Sequence, residues 1–151
     1  MKKLIPAFLA VLLFASYQDL CKKLPKKVLN LKAIEKCSGM NVIINANTSS
    51  QAEIVYVYKN KRIEAIVVQG TFAIQYLPLI SQNISITTES SKIYTDKIND
   101  KKAFITRDLY TNEEQIVIVV DQKIPKLIII HSKNLNEKEA KKAAKEISIK
   151  F

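Results

Sequence analysis

Between residues 53 and 131, apart from the stretch after Gly70, the sequence alternates short runs of β-branched, aliphatic and aromatic residues with polar breaks too short to hold a helix. Glu53–Tyr58 and Ile63–Gln69 flank Lys59-Asn60-Lys61-Arg62 and read as a hairpin. Further runs follow at Asn83–Thr88, Lys92–Ile98 and Ala103–Asp108, separated at Glu89–Ser91 and Asn99–Lys102. Gln115–Val120 and Lys126–His131 form another pair around Asp121-Gln122-Lys123, with Pro125 at a tolerated strand end. Parallel neighbours need a crossover of a dozen or more residues, so breaks this short imply a mainly antiparallel sheet.

Around these strands the pattern predicts helices. Leu13, Tyr17, Leu20, Cys21 and Leu24 fall on one side of a helix that stops at Pro25. Pro25 then opens a second, amphipathic helix carrying Val28, Leu31 and Ile34, closed by Gly39. Met40–Asn45 is expected as a strand and Asn47–Ser50 as a loop. Gly70 breaks the strand pattern, and Thr71–Ile80 is expected to hold a short helix. Asn136 and Glu139, three residues apart, mark the start of a final helix with Ala140, Ala143, Ala144 and Ile147 as its apolar stripe. The expected class is α+β: a mainly antiparallel sheet with N-terminal helices, one short middle helix and a C-terminal helix. At 151 residues the chain suits a single domain, assigned to 25–151, preceded by an apolar N-terminal helix in 1–24.

That N-terminal segment has several readings. Lys2 and Lys3 precede the unbroken apolar run Leu4–Ala15, which resembles a secretory signal. The context Phe14-Ala15-Ser16-Tyr17 lacks a clean small-x-small cleavage pair, and Lys22, Lys23, Lys26 and Lys27 follow at once. Twelve helical residues reach only about 18 Å, short of a ~30 Å hydrocarbon core. A packed or interfacial helix, a signal peptide and a membrane anchor all stay open. Cytoplasmic location, with membrane association through residues 4–15, is slightly favoured over export. Cys21 and Cys37 are reduced under the first location and form a disulfide if the chain is exported. The sequons Asn47-Thr48-Ser49 and Asn83-Ile84-Ser85 carry meaning only in the exported case.

The net charge is +10 and unevenly spread. Residues 1–62 hold eleven basic and three acidic groups, against thirteen and eleven in 63–151. The densest run, Lys22, Lys23, Lys26, Lys27, Lys32 and Lys36, is expected to be the solvated face of a helix. The sharper alternative is a basic patch for an anionic membrane or polyanion. Arg62 and Arg107 are the only arginines, too few for a dedicated base reader, so nucleic acid is a less favoured partner.

The stretch Leu24–Ile80 resembles the PATAN-type domains and a related archaeal domain of unknown function. The shared pattern is a helix, a Gly opening a strand, a hairpin with a late alanine, and a Gly leading a short helix. Here it reads Ile34-Glu35-Lys36-Cys37-Ser38-Gly39, Ile54-Val55-Tyr56-Val57-Tyr58, Ile63-Glu64-Ala65 and Gly70-Thr71-Phe72-Ala73. The resemblance implies a non-catalytic, cytoplasmic interaction module and brings no catalytic residues with it.

No residue pattern points to catalysis. His131 is the only histidine, and Ser132 beside it lacks a nucleophile-elbow context. Asp96, Asp100, Asp108, Glu113, Glu114 and Asp121 fall mostly where turns are expected, where carboxylates satisfy backbone groups. A metal shared by Asp96 and Asp108 has no supporting spacing. Two glycines are too few for a phosphate cradle, and two cysteines with one histidine are not a zinc set. Tyr56, Tyr58, Tyr94, Phe104 and Tyr110 could stack bases, but sheet packing is the expected role. The expectation is a non-enzymatic module without cofactor, binding a protein partner or itself. Export and polyanion binding are its alternatives.

Overall fold

The computed structural model describes residues 16–76, 78 and 81–151, so the apolar run Leu4–Ala15 lies outside the described residues, as does part of the predicted Thr71–Ile80 helix. In chain order the elements are α1 (Tyr17–Lys23), β1 (Lys27–Val28), β2 (Leu31–Ala33), β3 (Ser38–Ile44), β4 (Asn47–Tyr58) and β5 (Lys61–Gly70). There follow α2 (Thr71–Ile74), β6 (Ser85–Thr87), β7 (Ser91–Ile98), β8 (Lys101–Asp108), β9 (Glu113–Asp121), β10 (Lys126–Lys133) and α3 (Glu137–Ser148). All ten strands join one antiparallel sheet in the order β1-β2-β4-β5-β10-β9-β8-β7-β6, with β3 beside β4. The long β4 is shared on one edge, pairing with β2 at Tyr56–Val57 and with β3 from Asn47 to Glu53.

Turn chemistry sets much of this register. Asn45-Ala46 and Asn99-Asp100 both hold positive φ at two successive residues, the mirror-image turn whose twist suits a tight hairpin. Asp108 and Asp121 each accept two backbone N–H bonds from the turns that follow them, as expected of turn carboxylates.

The inner face of the sheet carries Tyr56, Ile63, Ala65, Val67, Ile105, Ile116, Ile118, Ile128 and Ile130, all buried under α1 and α3. α3 begins with the expected capping box, Asn136 and Glu139. Its stripe of Ala140, Ala143, Ala144 and Ile147 is buried, and small side chains let the helix lie close to the strands. Ion pairs Lys61–Glu139 at 2.6 Å and Lys141–Asp96 at 2.7 Å tie its edges to the sheet. The outer face carries an apolar cluster where Val68, Val117, Val119 and Leu127 pack with Phe72, Ala73 and Tyr76.

Two expectations are overturned. The predicted helix from Pro25 to Gly39 is instead β1, β2 and the start of β3. Val28 and Leu31 are direct cross-strand partners around the turn residue Leu29, whose φ is 54°. A two-residue hairpin puts partners three apart in sequence, the spacing that also marks one helix face, so periodicity could not separate them. Ile34, the third residue of that pattern, is exposed. Gly39 is no helix cap. A Cβ there would come within 2.0 Å of the Gln51 carbonyl oxygen and 2.8 Å of Tyr17 Cβ, so its bareness lets α1 lie on β3. The predicted loop Asn47–Ser50 is the start of β4, paired with β3 throughout and with β5 from Ser49 on, and Ser49 and Ser50 are buried. Tertiary pairing outweighs the weak strand propensity of these polar residues. Of the expected N-terminal helices, α1 is the one among the described residues. It belongs to the main core through Leu20, and Leu24 just beyond its end joins it there.

A lysine-rimmed groove beside a disulfide

Ser16 caps α1 through a capping box with Asp19, and Tyr17 N–H donates to Asn41 Oδ1 on β3 at 2.8 Å. These contacts place Cys21, one turn on, against Cys37, and the two form a disulfide. The cross-link joins α1 to the chain entering β3. Beneath it, β2 runs along the far half of β4, and a groove opens between the disulfide and the β1–β2 hairpin.

The groove has a volume of about 930 Å³. Its floor is apolar: Leu24, Ala33, Ile54 and the two cysteines. Lys22, Lys26, Lys27, Lys32 and Lys36 stand around it, with Glu35 the one acidic residue in the lining. Lys22 lies 4.0 Å from Asp19 at the exposed surface, a contact of little energetic weight. Lys26, Lys27, Lys32 and Lys36 have no ion-pair partner among the described residues. Lys27 and Lys32 are cross-strand partners in a hairpin of only two pairs. Like charges directly opposite one another destabilise a ladder, so this arrangement works against the local fold.

Five of the six lysines of the predicted basic run therefore share one rim, though not on a helix. Lys23 departs from them, its ammonium 5.6 Å from the centre of the Phe151 ring. The lysine run was readable in the sequence. Its apolar floor was not, because Ile54 and Ala33 reach it only through the pairing of β2 with β4.

The remaining candidates are scattered. His131 and Ser132 follow one another on β10 and so point to opposite faces, His131 exposed and Ser132 buried. They cannot form a Ser–His pair. Asp96 and Asp108 also face opposite sides, about five residues apart along their ladder. Asp96 is held below the usual carboxylate range mainly by its hydrogen bond with Lys141. Among the described residues no three His, Cys, Asp or Glu side chains gather as metal ligands. Tyr56 is fully buried and donates its hydroxyl to the Pro25 carbonyl, and burial pushes its phenol well above the usual range, so it cannot stack a base. Tyr94 packs against the main core and Phe104 against the outer apolar cluster; Tyr58 and Tyr110 are exposed.

Two further polar clusters were not visible in the sequence. On the outer face Glu53 is raised by a hydrogen bond with Glu64 and then by burial. The nearby depression lined by Arg62, Glu64, His131 and Lys133 holds only about 130 Å³ and lies on an open sheet face. On the inner face Glu114, expected near a turn, is buried against Arg107 at 3.5 Å. Burial pushes its carboxyl up to about 7, against the opposing pull of Arg107. Arg107 donates to the Leu135 carbonyl at 2.9 Å, so this pair anchors the entry to α3.

Comparison with known protein families, curated proteins and solved structures gives no match. The groove, at about 930 Å³, is much larger than the outer-face depression of about 130 Å³ and is the candidate site. No helix among the described residues is long and apolar enough to cross a membrane.

Proposed function

We propose that this chain is a non-catalytic interaction module of an oxidising compartment, exported or held at a membrane through residues 4–15. The observation that carries the reading is the Cys21–Cys37 bond. Glutathione and thioredoxin keep cytoplasmic thiols reduced, whereas secreted and envelope proteins retain such cross-links. Lys2-Lys3 ahead of Leu4–Ala15 supports the same location, as the charged and apolar parts of an export signal or anchor. The PATAN-type resemblance supports the interaction role, though the cytoplasmic location it implies is not adopted. Among the described residues the polar candidates are scattered, with no nucleophile beside a base, and this favours binding over catalysis in our reading.

Mass analysis of native material, alkylated on lysis without reductant, tests this reading. Cys21 and Cys37 should resist alkylation and become reactive only after reduction. Two freely alkylated thiols in freshly isolated protein would remove the basis for an oxidising location.

A further inference from the structure

We infer that the lysine-rimmed groove takes an anionic amphiphile: a single lipid whose acyl chain lies on Leu24, Ala33 and Ile54 and whose phosphate or carboxylate head meets the lysines. The inference deepens the reading above, since such ligands abound at membranes.

Three observations point to this occupant. The floor is apolar while the rim is cationic, which is the pattern of a ligand with one end of each kind. A volume of about 930 Å³ lies within the range that single small ligands fill. Four of the five rim lysines, Lys26, Lys27, Lys32 and Lys36, have no ion-pair partner among the described residues; Glu35 is the acidic residue in the lining, and Lys27 opposes Lys32 directly. An anion held between them relieves a repulsion that the folded chain otherwise carries.

Other occupants fit less well. The chain's own apolar run brings Lys2 and Lys3 with it and offers no anion to the rim. A nucleic acid backbone satisfies the lysines but leaves the apolar floor uncovered, and no arginine lines the groove to grip phosphate bidentately.

The test uses the full oxidised chain and dodecyl phosphate below its micelle concentration. Dodecyl maltoside, inorganic phosphate and heparin serve as comparison ligands. Native mass spectrometry should show one dodecyl phosphate per chain, and methyl NMR shifts should centre on Leu24, Ala33 and Ile54. Lys27→Glu with Lys32→Glu, and separately Ala33→Trp to fill the floor, should each weaken binding about tenfold or more. Both variants should keep the core methyl spectrum of the parent, and a variant that loses it is replaced by Lys26→Glu with Lys36→Glu.

Equal binding of the maltoside, shifts confined to residues 4–15, or binding of heparin without dodecyl phosphate would each overturn the inference. Vesicles containing phosphatidylglycerol give the last arm. Binding to intact vesicles without uptake of single lipids would place the lysines on a bilayer surface and overturn it too. Failure here with a resistant disulfide sinks the ligand alone. Free thiols with a filled groove sink the location alone.

Discussion

α1 and α3 lie on the same face of the same sheet, and both start with a side-chain capping box, yet they are held by different forces. α3 has twelve residues and buries a continuous stripe, with ion pairs along its edges. α1 has seven residues and buries Leu20 fully. One such side chain contributes about 1.5–3 kcal/mol, too little to fix a short helix against its conformational entropy. The Cys21–Cys37 bond, the Tyr17–Asn41 hydrogen bond and the close approach allowed by Gly39 add to it. Both helices join the main core, but α1 does so through one fully buried side chain and a cross-link, so the surface around it can stay open, and the groove lies there.

Three measurements can break or sharpen this contrast. The largest effects should come from removing each helix's own anchor. Ile147→Ala should cost about 2–5 kcal/mol in urea unfolding and act on the whole domain. Replacing Cys21 and Cys37 together by serine should cost about 3 kcal/mol on the chain-entropy model for a 16-residue separation. Hydrogen exchange should then speed up in α1 and β3 while α3 stays protected. Equal loss of protection in α3 would erase the distinction.

A smaller effect should come from Glu114, beside the arginine that holds the entry to α3. Burial raises its folded-state pKa to about 7 from an ordinary 4.5, so the folded state binds a proton more tightly than the unfolded chain. Its contribution to stability is therefore greatest below about pH 4.5 and is lost as pH rises through about 7, by roughly 1–3 kcal/mol. Glu114→Gln should flatten that dependence in urea titrations between pH 5 and 8. An unchanged slope would mean that the carboxyl titrates normally and that Arg107 neutralises it fully.

The caps should give the smallest changes. Asn136 Oδ1 accepts from Glu139 N–H at 2.8 Å, and Ser16 Oγ accepts from Asp19 N–H at 3.3 Å. Asn136→Ala should cost about 1 kcal/mol and Ser16→Ala about half of that, the longer bond being weaker. A larger loss at Ser16 would mean that α1 depends on its own helix formation more than on its cross-link.

Most of the sheet was legible in the sequence. The runs at Glu53–Tyr58, Ile63–Gln69, Lys92–Ile98 and Ala103–Asp108 all lie in strands, as do Gln115–Val120 and Lys126–His131. α3 starts at its predicted cap, and a short helix follows Gly70. Alternation and capping are local signals, carried by residues two or three apart, and they survive folding because the sheet uses them directly. The failures cluster between Pro25 and Ser50, where the same spacing fits two structures. Val28 and Leu31 satisfy a helix face and a tight hairpin equally, and Asn47–Ser50 becomes strand through its pairing with β3, joined by β5 from Ser49.

The sequence by itself determined an antiparallel, strand-rich domain closed by a capped helix, and an excess of lysine near its start. Short-range periodicity and charge are enough for that. Only the tertiary structure decided that Cys21 meets Cys37, that Lys27 opposes Lys32, and that Ile54 lines the same groove as these residues. Each of those contacts depends on how β2 and β3 share the edge of β4, which is a long-range pairing. The basic run therefore became a rim around an apolar floor instead of the wet side of a helix.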